Sequence, residues 1–263
     1  MRWCRFESGQ VGPRYGLIEG DRVVAVQGSP FETYERTTET HALADVKLLV
    51  PVIPSVFYAA GVNYREHITA NAVARGEEPQ FPPVADVGYR ANNALIADGE
   101  SIVVPADATE LIQYEGELVV VFGRTCHKVS EDEVLDYILG YTIGNDFSER
   151  TWQREDRTFW RGKNADTFKP MGPWIETGLP EPDDLHVTIR VNGREMYTYC
   201  VGDAIFTVRQ YISRMSQYLT MQPGDVLWMG TDGPTENVKD GDVIEIEVPG
   251  IGVLRNPVVR ERV

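Results

Sequence analysis

The chain has neither a G-x-G-x-x-G run nor a G-x-x-x-x-G-K-[ST] run, so the common nucleotide-binding folds have no support in it. It is also short of basic residues, with 25 Lys and Arg against 40 Asp and Glu, a formal charge of −15. That balance offers no basic stripe to phosphate backbones or anionic lipid, and neither nucleic acid nor membrane is expected as a partner. Cysteine is sparse. Cys4, Cys126 and Cys200 are an odd number, far apart and without metal-ligand or redox spacing, which fits a reducing compartment. Cys126-His127 follows a strand-like run and a glycine in an expected turn, and is read as structural. No stretch reaches the roughly 18 apolar residues of a spanning helix, and Met1 is followed by Arg2-Trp3-Cys4-Arg5 rather than a signal core; the expected address is cytoplasmic.

What is present is a β-rich pattern. At 263 residues the chain can bury a core without staples, and β-rich cores run to about 250 residues, so one large domain with a small appendage is expected. Tyr15-Gly16-Leu17-Ile18 and Arg22-Val23-Val24-Ala25-Val26 flank the turn Glu19-Gly20-Asp21 as a hairpin would. The proline-punctuated Val50-Pro51-Val52-Ile53-Pro54 then places a boundary near residue 50, giving a small N-terminal β domain over 1–50 and a main domain over 51–263. In the main domain Asn63 and Glu66 have capping-box spacing for a helix over about 64–75, which Gly76 can end. Ser130 and Glu133 open another, with Val134, Leu135 and Ile138 as its buried side. Val208, Tyr211, Ile212, Met215 and Leu219 recur at helical spacing and are read as core packing. The C-terminal third alternates turns with strands, Val226–Met229 and Val243–Val248 among them. The expected fold class is α+β, dominated by strands.

One short acidic run stands out. Tyr114-Glu115-Gly116-Glu117 opens directly into Leu118-Val119-Val120-Val121-Phe122, and in a strand Glu115 and Glu117 share a face with Val119 and Val121. Two carboxylates about 4 Å apart repel by about 4 kcal/mol at an effective dielectric near 20. Either the pair is a solvated edge or a divalent cation lies between them. Asp146 supplies a third acid at the end of the apolar run Ile138–Asn145, where a buried carboxylate is costly without a partner. Oxygen ligands without His or Cys suit Mg²⁺, Mn²⁺ or Ca²⁺ better than zinc, with Mg²⁺ the first choice.

These residues resemble the fumarylacetoacetate hydrolase superfamily, and the resemblance runs from about residue 55 to the C-terminus. It is carried in order by Gly61-Val62-Asn63-Tyr64-Arg65-Glu66-His67, Tyr114-Glu115-Gly116-Glu117-Leu118, Gly140–Arg150, Arg161–Phe168, Pro223-Gly224-Asp225-Val226, Met229-Gly230-Thr231 and Gly250–Val258. It implies a mixed β-roll with a small N-terminal domain, a homodimer, metal ligands at Glu115, Glu117 and Asp146, and a small-molecule oxo-acid substrate. The family's water-activating base falls on His67, imidazole being the side chain whose ordinary pKa suits proton transfer near neutral pH. Lys163 is placed to stabilise an oxyanion, and Arg150 with Gln153 to reach a substrate carboxylate from one helix face. Arg150 can alternatively pair with an acid, Glu115 included. Thr231 and the neighbouring Gly230 N–H are offered to a carboxylate.

The chain departs from the family pattern twice. Many of the family's hydrolases carry a Glu three residues after this His, but here the position is Ala70; Glu77 and Glu78 are the nearest replacements along the chain. Arg90 stands where relatives commonly show lysine, able to clamp a second substrate carboxylate or to bridge acids. The first expectation is hydrolytic C–C cleavage of a 2-oxo acid such as an acylpyruvate. The alternative is isomerisation or decarboxylation of a 2-hydroxydienoate or 2-oxo-enoate diacid in aromatic catabolism, which needs no activated water. A third is a non-catalytic, metal-stabilised binding protein.

Overall fold

The run Leu118-Val119-Val120-Val121-Phe122 is continuous instead of alternating because both of its faces are buried, each of the five residues being 0% exposed. Leu118, Val120 and Phe122 face a core that also holds Ile189, Ile246 and Leu254. Val119 and Val121 face a second core with Trp3, Met171 and Trp228. The computed structural model describes residues 1–9, 11–179 and 181–262. Strands dominate, at 42% against 17% helix, in a mixed β architecture that matches the expected class.

The strand Gly116–Phe122 lies inside a twelve-stranded sheet, between Ile138–Asn145 and Val226–Trp228. Beyond Val226–Trp228 the sheet continues through Phe57–Ala60 to Val87–Tyr89. In the other direction Ile138–Asn145 pairs with Lys169–Glu176, which pairs with the first strand of the chain through Arg2↔Glu176 and Trp3↔Ile175. The four N-terminal strands, Arg2–Ser8, Val11–Glu19, Arg22–Gln27 and Glu35–Ala42, therefore extend the same sheet. The expected hairpin is there, with Glu19↔Arg22 closing the turn.

A second, five-stranded sheet of Arg194–Cys200, His186–Val191, Val243–Val248, Gly252–Arg260 and Ile102–Val104 packs across the first. Gly116 marks the contact: a Cβ there would stand 2.8 Å from Ile189 Cγ1 and 3.0 Å from Ile246 Cγ2. The glycine between the two glutamates lets the acidic strand lie flat on this sheet.

Helices cover the ends. Val208–Ser216 has the expected buried side, Val208, Tyr211, Ile212 and Met215, behind a Thr207–Gln210 capping box. The Ser130–Glu133 capping box also forms, but it opens a 3₁₀ segment, Glu131–Tyr137, in which Val134 is the buried residue. Arg65–Arg75 ends at Gly76 in the left-handed conformation, as expected. Its start does not follow the expected Asn63–Glu66 box. Tyr64 is the cap, without a side-chain bond, because Asn63 is buried and spends its amide on the Phe206 backbone, at 3.0 and 3.1 Å. Asp232 Oδ1 accepts from the His67 N–H at 3.0 Å and serves a first-turn donor instead. No helix among the described residues is long and apolar enough to cross a membrane.

Candidate metal and catalytic site

The acidic pair and the third acid meet because two antiparallel strands end in register. Gly116 faces Asn145 and Glu117 faces Gly144, while the Asp146 N–H donates to the Glu115 carbonyl at 2.8 Å. Asn145 Oδ1 accepts from the Glu115 N–H at 3.0 Å and fixes the corner. Glu115, Glu117 and Asp146 are buried and each offers a carboxylate oxygen within 4.8 Å of the others'. The solvated-edge alternative is thereby excluded.

Four cations answer the charge unevenly. Asp146 faces Arg90 at 2.7 Å, Lys163 at 2.9 Å and Lys169 at 2.8 Å. Burial alone would raise its pKa; these cations reverse that and hold it well below the carboxylate range. Glu115 receives Arg150 at 2.6 Å and Lys163, and is likewise held low against burial. Glu117 has neither advantage. Among the described residues its carboxylate accepts a hydrogen bond from the Gly230 N–H alone, at 2.7 Å, and burial together with Asp146 and Glu115 pushes its pKa up to about 8. A buried carboxylate beside two others, with no cation of its own and an all-oxygen donor set around it, fits a hard divalent ion.

The expected residues gather here, some in other roles. Arg90 places both Nε and a terminal nitrogen on Asp146 and gives the other to the Tyr89 carbonyl, so it bridges to an acid and does not present a free clamp. Arg150 likewise takes its acid-pairing alternative, binding Glu115, Gln113 and Gln153 at 2.6–2.8 Å. Gln153 is thus held by Arg150. The Gly230 N–H is committed to Glu117, whereas the buried Thr231 hydroxyl has no partner among the described residues. Cys126 is buried, its thiol pushed up to about 11 by burial, and stays out of the chemistry.

His67 is 8% exposed and reaches the triad edge, its Nε2 lying 3.5 Å from Glu115 Oε1. Nδ1 lies 2.9 Å from the Gly233 carbonyl oxygen and Nε2 lies 2.8 Å from the Asn71 amide nitrogen. Glu77 does not replace the missing acid: it is exposed and paired with Arg75 at 2.9 Å, because the chain turns away after Gly76. Glu78 is exposed as well.

Asn71 and Lys169 are the site residues the sequence did not single out. Lys169 carried a readable signal, a lysine opening the apolar strand Lys169–Glu176; it is 0% exposed, and burial lowers its pKa to about 7 despite Asp146. A cavity of about 670 Å³ abuts the cluster through Arg90 and is walled by Tyr89, Trp152, Trp160 and Arg161 among others.

A family model described as fumarylacetoacetate (FAA) hydrolase C-terminal matches residues 56–259, and one described as Rv2993c-like, N-terminal, matches residues 1–51. Protein Rv2993c of Mycobacterium tuberculosis is 38% identical, over 88% of this chain and 86% of its own. Oxaloacetate tautomerase YisK of Bacillus subtilis is 31% identical, over 92% of this chain and 84% of its own. The crystal structure of 5-carboxymethyl-2-hydroxymuconate delta-isomerase from Mycobacterium smegmatis superposes with a TM-score of 0.89 at 36% identity, covering 99% of this chain and 100% of that one.

Proposed function

Because the chain belongs to the fumarylacetoacetate hydrolase family, whose members are enzymes that bind divalent metals, we propose that it is a Mg²⁺-dependent enzyme that moves a proton within a 2-oxo acid. The substrate class is a 2-oxo or 2-hydroxydienoate diacid, and the reaction is keto–enol tautomerisation or double-bond isomerisation. Glu115, Glu117 and Asp146 would hold the ion, which when bound supplies Lewis acidity for a 2-oxo carboxylate and its neighbouring carbonyl.

The chain's own groups account for the rest. His67 Nε2 takes a proton from C3 of the substrate, the C–H electron pair passes toward the carbonyl oxygen, and the Lys163 ammonium balances the charge that develops there. The same nitrogen returns the proton to the oxygen or to a more distant carbon. The Thr231 hydroxyl, buried and unpartnered, accepts the task of binding a substrate carboxylate, while Arg150, held by Gln113 and Gln153, orients Glu115.

The observation that carries this reading is the surroundings of His67. Its ring touches a carbonyl and an amide, and Glu115, the carboxylate that Nε2 approaches, is already engaged by Arg150 and Lys163. Water activation leaves the ring cationic until a leaving group takes the proton, a state that a carboxylate of its own would stabilise, whereas transfer within a substrate returns the proton from the ring to the same molecule. The isomerase and tautomerase names of two similar proteins support the same choice.

Hydrolytic cleavage of an acylpyruvate is the second reading, favoured by the 3.5 Å approach of His67 Nε2 to Glu115, which sets the ring beside the acids where a water would stand. Product analysis separates the two. With Mg²⁺ and a panel of 2-oxo diacids in D₂O, deuterium should enter C3 or a double bond should shift without a second acid appearing. A second acid fragment formed in step with substrate loss would establish hydrolysis instead. A binding protein alone would gain thermal stability from Mg²⁺ and consume nothing.

A further inference from the structure

The cavity of about 670 Å³ is walled by the same elements that send cations to the acids. Arg90 lines it and holds Asp146 at 2.7 Å. The helix Arg150–Glu155 turns Arg150 to Glu115 and Trp152 to the cavity. The loop after it turns Lys163 to Glu115 and Asp146, and Trp160, Arg161 and Asn164 to the cavity. A molecule chelated at the acids therefore has this cavity next to it, past Arg90. The loop is held in an unfavourable shape. Phe159 and Thr167 have φ of +56° and +70°, where a bulky or β-branched residue is an outlier. Asn164 ties it down by accepting from the Ala91 N–H at 2.8 Å and donating to the Phe159 carbonyl at 3.1 Å, and Thr167 by accepting from the Val103 N–H at 2.7 Å. Strain of this kind persists where the surroundings enforce it, and it gathers at ligand sites. Its product is a bare indole. Trp160 is 63% exposed, with the Arg161 guanidinium 5.7 Å from its ring and 4.7 Å from that of Trp152, while Tyr89 is 56% exposed in the same wall. The cations of the wall are spent: Arg161 is bound to Asp156, and Arg90 to Asp146 and the Tyr89 carbonyl. Its other charged groups, Asp107 and Asp166, are acids. Among the described residues the cavity thus offers aromatic faces and no free cation, which suits a flat uncharged group and not a carboxylate.

We propose that this cavity is the subsite for the tail of the substrate, that the tail is flat and uncharged where it passes Arg90, and that Trp160 is the specificity-determining residue that reads it. A conjugated chain or an aryl ring joined to the 2-oxo acid head has that character. A second carboxylate at its far end would stay in the water at the cavity mouth. The proposal rests on the function proposed above for the metal-held head alone, and adds what that head is joined to. Oxaloacetate, whose second carboxylate follows directly on C3, is thereby excluded as the preferred ligand.

Analogues of a 2-oxo acid that do not react read the subsite without turnover. The full chain with Mg²⁺ is titrated calorimetrically with oxamate, which is the head alone, and with N-cyclohexyloxamate and N-phenyloxamate, which add a puckered and a flat ring of similar size. Wild type should bind N-phenyloxamate about tenfold tighter than oxamate and about threefold tighter than the cyclohexyl compound, the order expected when a flat ring stacks on an indole. Trp160→Ala should erase the preference for the phenyl ring and Trp160→Phe should keep most of it, while oxamate binds all three proteins alike. A wild type that binds N-phenyloxamate no better than oxamate overturns the proposal, and so does a preference that survives in Trp160→Ala. If it survives while the mass of Trp160→Ala by light scattering falls to that of a single chain, the face is an interface between copies instead. Failure of oxamate to bind in the presence of Mg²⁺ refutes the metal-held head and the subsite with it. If N-phenyloxamate binds as expected while no 2-oxo acid is isomerised or tautomerised, the functional reading fails and the subsite stands.

Discussion

Glu117 is the acid of the three that no basic side chain pairs among the described residues. With its pKa at about 8 against an ordinary 4.5, the folded protein holds a proton there that the unfolded chain has released across that window. Folding stability from this group is complete below about pH 4.5 and is lost as the pH rises toward 8. In EDTA, the melting temperature of wild type should fall between about pH 5 and 8, and that of Glu117→Gln should fall by about 10 °C less, at about 2–4 °C per kcal/mol. Parallel melting curves would show that Glu117 is not protonated. The same variant should lose Mg²⁺ binding by calorimetric titration. The three acids were legible in the sequence because burying unpaired carboxylates is costly, and cost points to a partner. Asn71 was not legible, since an amide on a helix reads as a solvated face until the ring beside it is placed.

At the scale of elements, the acidic strand depends on its contact with the second sheet. Gly116→Ala would press a methyl group into Ile189 and Ile246, at 2.8 and 3.0 Å, with a packed strand on each side. Overpacking of this kind costs about 1–3 kcal/mol, and urea unfolding should show a stability lowered by that amount at an unchanged slope, with Mg²⁺ affinity lowered as well. Retention of both would mean the strand can lift off the sheet without disturbing Glu115 and Glu117. The strands and the Val208–Ser216 helix follow from periodicity and local caps, which the sequence displays. The start of Arg65–Arg75 does not, because Asn63 answers to Phe206, 143 residues away, and Asp232 answers to His67, 165 residues away. Contacts of that range leave no local trace.

For the whole molecule, the N-terminal strands are structurally continuous with the rest. Trp3, Leu17 and Val26 share one core with Phe57, Val119 and Trp228, and the first strand covers part of Lys169–Glu176. A fragment lacking residues 1–50 would open that core and leave strand backbone unpaired. It should aggregate or unfold without a cooperative transition, while the full chain melts as one unit; a cooperatively folding fragment would show two separable domains. We also expect a homodimer, with a mass by light scattering of twice 29.6 kDa; a single 29.6 kDa species would refute it.

The inward-facing cations have a kinetic consequence as well. Arg90, Arg150, Lys163 and Lys169 are four of the 25 basic residues, and all are committed to two of the acids inside, Glu115 and Asp146. What a dianionic substrate meets at long range is the field of a chain carrying −15, which repels it. Added salt shortens the reach of that field to about 8 Å near 0.15 M. Encounter with the substrate should therefore quicken as ionic strength rises from about 0.01 to 0.15 M, so that salt acts on this protein as an accelerant of diffusion to the site.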